Sequence, residues 1–229
     1  MQQLAYPVNE VFETIQGEGV YTGVPAVFVR LQGCPVGCSW CDTKQTWEQE
    51  PENEISIKDL SAKSAEAPTW SYLTAKQLLD LCQSQGYVAK HIVITGGEPC
   101  IHDLLPLTDA FISEGYSVQI ETSGTFEIKA AAACWVTVSP KVDMRGGYDV
   151  LESALQRADE IKHPIAKQSH IDDLDRLLEP LSETGELADK TICLQPISQL
   201  PRATELAIKT CIQRNWRLSI QAHKYLNIE

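Results

Sequence analysis

AVFVRLQGCPVGCSWCDT (residues 26–43) joins an apolar, β-branched run at 26–31 directly to a loop carrying Cys34, Cys38 and Cys41. The order recurs at HIVITGGEP (91–99), where a similar run ends in a glycine-rich loop. Chemistry placed just after strands is the arrangement of parallel α/β folds, whose sites gather at the carboxyl ends of the strands. Working outward, further strands are expected at 117–121 (SVQIE), 135–139 (WVTVS), 191–195 (TICLQ) and 217–221 (RLSIQ), with a weaker candidate at 160–165 (EIKHPI). Most of these runs lack strict alternation, which suits strands buried on both faces.

Helical patterns lie between the runs. Residues 74–85 open on Thr74 with Gln77 three positions later, a capping box, and stop at Gly86. Others are expected over 103–114, 149–158, 170–182 and 201–214. The alternation implies right-handed βαβ crossovers and an open, partial parallel β/α barrel of about six strands, since a full eight-fold barrel would be crowded in 229 residues. One domain is expected over 1–229, with residues 44–73, rich in Glu, Ser, Pro and Lys, as a loop or insertion.

A net charge of −12 sets a repulsive field against phosphate backbones, so nucleic acid is not an expected partner. A local Arg or Lys can still attract an anionic small molecule, which draws attention to Arg30 and Lys141. No stretch approaches a membrane span and the N-terminus has no secretory pattern, so a cytoplasmic location is expected. In that reducing compartment the eight cysteines are not read as disulfides. Cys82, Cys100, Cys134, Cys193 and Cys211 read as packing residues.

Cys34, Cys38 and Cys41 follow C-x3-C-x2-C spacing. Three thiolates within one loop can hold an iron-sulfur cluster, and a fourth iron without a protein ligand is open to a substrate or cofactor. The competing reading is structural zinc, which needs a fourth ligand; none of the five histidines stands at a short zinc spacing. In TGGEP (95–99) the glycines let backbone approach a ligand closely, and Glu98 can accept from an ammonium group.

Together these motifs resemble the radical S-adenosylmethionine superfamily. The segments VNEVFETIQGEG (8–19), FVRLQGC (28–34), WCDTKQTW (40–47), TGGEP, ETSG (121–124), VSPK (138–141), QPIS (195–198) and QAHKYL (221–226) resemble, in order, the 7-carboxy-7-deazaguanine synthase family of the queuosine route. The resemblance implies ring contraction of 6-carboxy-5,6,7,8-tetrahydropterin with release of ammonia. It also implies a 4Fe-4S cluster on the three cysteines, S-adenosylmethionine as a reusable cofactor, Mg2+, a homodimer and an external electron donor such as a flavodoxin.

Residue by residue, the resemblance points to Ile15, Gln16 and Gly17 for the pterin, and to Arg30 for the substrate carboxylate, with Thr95, Glu121 and His223 lining the substrate side. Thr43 matches the magnesium ligand, a role for which Asp42 could compete. For S-adenosylmethionine it points to Trp40, Cys41 and Asp42, to Gly97 and Glu98, to Ser139, Pro140 and Lys141, and to Gln195, Pro196, Ile197 and Ser198. Some relatives end in Pro six residues after the histidine, where this chain has Glu229, so no role is assigned there. Two rivals stand beside this reading: a radical-activating enzyme acting on a partner protein's glycine, and a non-catalytic iron-sulfur or zinc protein.

Overall fold

The computed structural model describes residues 4–64, 66–226 and 228, so Glu229 lies outside the described residues. Seven strands run parallel in one sheet: β2 (Pro25–Leu31), β4 (His91–Gly96), β5 (Ser117–Thr122), β6 (Trp135–Val138), β7 (Glu160–Ile165), β8 (Thr191–Pro196) and β9 (Arg217–Leu218). Two strands that the sequence reading did not anticipate, β1 (Ala5–Ile15) and β3 (Ser71–Thr74), extend the β2 edge in antiparallel pairing. The complete order is β3-β1-β2-β4-β5-β6-β7-β8-β9. The parallel barrel is therefore partial, as expected, and it carries an antiparallel edge.

Helices α2 (Ala75–Ser84), α3 (Leu105–Ser113), α4 (Glu152–Arg157), α5 (Gln168–Thr184) and α6 (Pro201–Arg214) join the strands. Thr74 and Gln77 close both bonds of the capping box on α2. Helix α5 outruns the expected span, continuing past Pro180 to a left-handed Gly185. Residues 44–70 contain two short 3-10 turns and the one-turn helix α1 (Ile57–Leu60). They are tied to β1 at Asn9, whose Nδ2 donates to the carbonyls of Ala67 (3.3 Å) and Thr69 (3.2 Å) and to Gln32 Oε1 (2.7 Å).

The apolar core lies between sheet and helices. One cluster includes Ile92, Ile94, Leu107, Phe111 and Ile120, and another Val136, Val138, Ile161, Leu174 and Leu194. Because side chains alternate along a strand, the intervening positions face the barrel interior, and several of these are polar: Gln119, Thr137, Glu160 and Lys162 are all buried. The strands are enclosed on both faces: the outer face is apolar, whereas the interior mixes these polar groups with apolar ones such as Phe28 and Val93.

The sheet does not close on itself. The segment 16–24 crosses the gap: Gly19 N donates to Ser219 Oγ (2.9 Å) and Val20 N to Glu160 Oε2 (3.1 Å). Ala222 N, at the start of α7 (Ala222–Leu226), donates to Gly17 O (2.9 Å). The expected strand at 217–221 is paired only over Arg217–Leu218 because the residues after it turn to meet this crossing segment.

Candidate active site

One cavity opens at the carboxyl ends of the parallel strands, and Cys34, Cys38 and Cys41 all line it. The cysteine loop is folded onto the turn that follows it, with Gly33 N donating to Thr46 O (2.7 Å) and Cys34 N to Trp47 O (2.9 Å). Burial pushes the Cys34 thiol up to about 11 and raises Cys38 too, where nearby Lys141 opposes the rise. Cys41 Sγ accepts from Thr43 N (3.4 Å) and from the Trp47 indole Nε1 (3.3 Å). Such donors stabilise negative charge on sulfur.

Among the described residues no three His, Cys, Asp or Glu side chains converge to enclose a single ion. A tetrahedral zinc site needs that convergence. A four-iron cluster does not, because each thiolate takes a different iron. Three thiols spread around one cavity wall fit the cluster.

The glycine-rich loop after β4 packs against the cysteine loop. A Cβ on Gly97 would lie 2.0 Å from Gly33 O, and one on Gly96, at φ +121°, would lie 2.2 Å from Leu31 N. Gly97 N donates to Leu31 O (2.8 Å) and Glu98 N to Gly33 O (2.9 Å). The glycines thus let two loops approach each other as well as a ligand.

Glu98 departs from the expected ammonium acceptor. It is buried, Oε1 accepts from Cys100 N (2.9 Å) and Thr122 Oγ1 (2.6 Å), and Oε2 accepts from Ser123 N (2.8 Å) and Ser123 Oγ. Four donors fill the carboxylate's acceptor sites. Glu98 is a pin between the ends of β4 and β5, which leaves the backbone around Gly97 to face a ligand.

Arg30 and Thr95 are register partners on adjacent strands and both line the cavity. Arg30 Nε bonds Glu10 Oε1 (2.5 Å) and its guanidinium lies over the Phe12 ring at 5.7 Å. No described residue bonds its two terminal nitrogens, so the fork is free for a carboxylate. The Gln16 amide, by contrast, is committed within the protein: Nε2 reaches Gln119 Oε1 (3.3 Å) and Glu121 Oε1 (3.5 Å), and Oε1 accepts from Glu18 N (3.1 Å). Ile15, Gln16 and Gly17 all line the cavity, as expected for the pterin segment, and with the Gln16 amide so engaged it is the backbone there that can meet a ligand. His223 packs against Gly17, where a Cβ would sit 2.7 Å from its Nδ1.

Thr43 also lines the cavity, beside Cys41, whereas the Asp42 carboxylate is held by Lys224 Nζ (2.9 Å) and Gln221 Nε2 (3.2 Å). Trp40, Asp42, Ser139, Lys141, Gln195, Ile197 and Ser198 complete the expected cofactor side of the wall. Lys141 Nζ bonds Ser139 Oγ (2.5 Å), and burial lowers its pKa. Pro140, in the loop after β6, and Pro196, the last residue of β8, are buried and do not line the cavity.

Sequence reasoning named Glu121 but missed the two charges it meets at the centre of the wall, Lys162 and Glu18. Lys162 Nζ bonds Glu18 Oε2 (2.7 Å) and both oxygens of Glu121 (3.0 and 2.9 Å), and its side chain is 3% exposed. Burial opposes ionisation of Glu18, yet Lys162 and Gln221 hold it down at about 2. Glu121 is pushed up to about 7 by burial, with Glu18 and Glu160 adding to the rise and Lys162 opposing it. A lysine inside the strand EIKHPI signals this arrangement, since an ammonium in a sheet interior needs carboxylate partners.

A family model described as a 4Fe-4S single cluster domain matches residues 15–127. Over 225 residues the chain is 57% identical to the 7-carboxy-7-deazaguanine synthase of Escherichia coli (strain K12), covering 98% of this chain and 100% of that one. The chain belongs to the 7-carboxy-7-deazaguanine synthase family. Its likeness to the 7-carboxy-7-deazaguanine synthase of Buchnera aphidicola (subsp. Schizaphis graminum) is 46%, over 97% of this chain and 99% of that one. A crystal structure of QueE from Escherichia coli superposes with a TM-score of 0.91 at 57% identity, covering 96% of this chain and 95% of that one. As a 7-carboxy-7-deazaguanine synthase family member with a 4Fe-4S domain, the chain has in Cys34, Cys38 and Cys41 the thiol set for an iron-sulfur cluster.

Proposed function

We propose that this enzyme converts 6-carboxy-5,6,7,8-tetrahydropterin to 7-carboxy-7-deazaguanine with release of ammonia, in queuosine biosynthesis. The observation that carries the reading is the meeting of the three-cysteine loop, the Gly97 loop and the Arg30 fork in one cavity. When bound, the cluster would supply the electron for reductive opening of S-adenosylmethionine, whose adenosyl group would take a hydrogen from the substrate and return it at the end of the cycle.

The residues of the chain bind, orient and shield. Cys34, Cys38 and Cys41 would hold the cluster through three thiolates, so that an iron without a protein ligand would be open to S-adenosylmethionine. Trp47 and the Thr43 amide stabilise charge on Cys41. The backbone at Gly97, with Ser139, Lys141, Gln195, Ile197, Ser198 and Trp40, forms the cofactor wall, and Lys141 brings a positive charge to an otherwise acidic protein. Arg30 offers its terminal nitrogens to the substrate carboxylate, a bidentate match. The Ile15–Gly17 backbone, Thr95, Glu121 and His223 flank the pterin. Thr43 would supply a hydroxyl for Mg2+, an ion that takes few protein ligands.

In this reading the enzyme is a single-domain cytoplasmic homodimer served by an external one-electron donor such as a flavodoxin. No helix among the described residues is long and apolar enough to cross a membrane. The test is anaerobic reconstitution with iron and sulfide, then assay with S-adenosylmethionine, Mg2+, reductant and the tetrahydropterin. Deazaguanine product without stoichiometric loss of S-adenosylmethionine is the expected result. Cofactor cleavage without that product would overturn the substrate assignment.

A further inference from the structure

Lys162 has three N–H donors and the structure uses all of them, two on Glu121 and one on Glu18. Glu121 Oε1 accepts from Lys162, from Gln119 Nε2 (3.0 Å) and from Gln16 Nε2 (3.5 Å), whereas Oε2 has Lys162 alone among the described residues. One acceptor direction thus remains on a carboxylate that lines the cavity. Gln119 is itself fixed, because its Nε2 also bonds Thr137 Oγ1 (3.0 Å) and its Oε1 meets His91 Nε2 (3.0 Å). Glu121 can neither rotate nor offer its other oxygen.

We propose that Lys162 is a positioning residue for substrate: it holds Glu121 as an oriented anion with one open acceptor, which selects a heterocycle presenting an N–H donor, such as the amino-pyrimidinone edge of a pterin. This inference rests on the substrate assigned above. The groups facing Glu121 are Lys162 and Glu160 from β7, Glu18 and Gln16 from the crossing segment, Lys141 from the loop after β6, and Gln119 on its own strand. His91 reaches it through Gln119, and His223 lies beside Glu18. Three carboxylates share this interior, so without Lys162 the least stabilised of them takes up a proton. Glu121 is that group, since its carboxyl already stands at about 7 with Lys162 present.

The test combines binding and infrared spectroscopy on the reconstituted holoenzyme. Affinity for 6-carboxytetrahydropterin is measured from pH 6 to 9.5 for wild type, Lys162→Met, Lys162→Arg and Glu121→Gln. Lys162→Met should weaken binding about 30-fold at pH 7, recover as pH rises, and leave S-adenosylmethionine affinity unchanged. Lys162→Arg should restore the wild-type profile, and Glu121→Gln should bind weakly without the pH dependence. A Lys162→Met profile superposing on wild type would overturn the inference.

The infrared arm needs no ligand and so separates a failure here from a wrong substrate. At pH 8, Lys162→Met minus Lys162→Met/Glu121→Gln should show a protonated-carboxyl band several-fold stronger than wild type minus Glu121→Gln. Equal bands in both pairs would overturn the inference. Lys162→Gln, which keeps donors but no charge, takes the place of Lys162→Met should the latter not fold, with the same two outcomes.

Discussion

A Cβ on Gly97 would stand 2.0 Å from the carbonyl oxygen of Gly33, so the two loops that build the cofactor side meet at a point only glycine permits. Gly97→Ala must push those loops apart, because the obstructing atom is backbone and has no rotamer to change. The variant is expected to lose S-adenosylmethionine affinity at least tenfold and about 2 kcal/mol of stability. Calorimetric titration and thermal melting read the two effects.

Trp47→Phe removes one of the donors to Cys41 Sγ while keeping an aromatic ring. Withdrawing a hydrogen bond from a cluster thiolate favours the oxidised form, so the cluster potential should fall. A tenfold change in a one-electron equilibrium is about 59 mV, which sets the scale expected. Spectroelectrochemistry of the reconstituted protein checks the sign.

Glu98→Gln puts an amide NH2 where two protein donors already point. Loss of charge-assisted bonds in a buried site should cost about 3 kcal/mol, seen as a lowered urea midpoint with unchanged slope. Unchanged stability, with loss confined to cofactor affinity, would show that the carboxylate is a ligand contact and not a pin.

Arg30→Ala should weaken substrate binding by about 1.5 to 3 kcal/mol and leave cofactor binding alone. Glu10→Gln, which removes the charge of the partner at Nε but keeps an acceptor there, should have a smaller effect because the terminal nitrogens are retained. Pterin affinity measured for both variants decides the order.

His163 is buried, neither ring nitrogen has a hydrogen-bond partner among the described residues, and burial, aided by Lys141, pushes its pKa down to about 4. The unfolded chain, at about 6.5, binds the proton first, so stability falls as pH drops through the window from 6.5 to 4. The loss is on the order of 3 kcal/mol. His163→Leu should flatten that slope in urea unfolding at pH 7 and pH 5.

The seven parallel strands were legible because β-branched runs such as HIVIT and SVQIE end at turn residues. Strand β1 was not, since Pro7, Asn9, Glu10 and Glu13 give it the look of a loop; its place is fixed by pairing with β2 and by partners that arrive from far along the chain. In the site, motif spacing located the cysteines, the glycine loop and Arg30. It could not reveal that Glu98 and Gln16 spend their side chains on the protein, because their donors and acceptors come from β5 and from backbone. The Lys162 pairs join residues 144 and 41 positions apart, a relation that no local pattern encodes.

The crossing segment that bridges the open barrel ties Gly19 to Ser219, 200 positions later, and Glu18 to Gln221, 203 positions later. A ribosome-bound chain that has not released residues 219–224 already has its cysteines but lacks one wall of the chamber. Synthesis itself therefore keeps a half-made protein from enclosing its cavity, and the chamber is sealed only once residues 219–224 have left the ribosome.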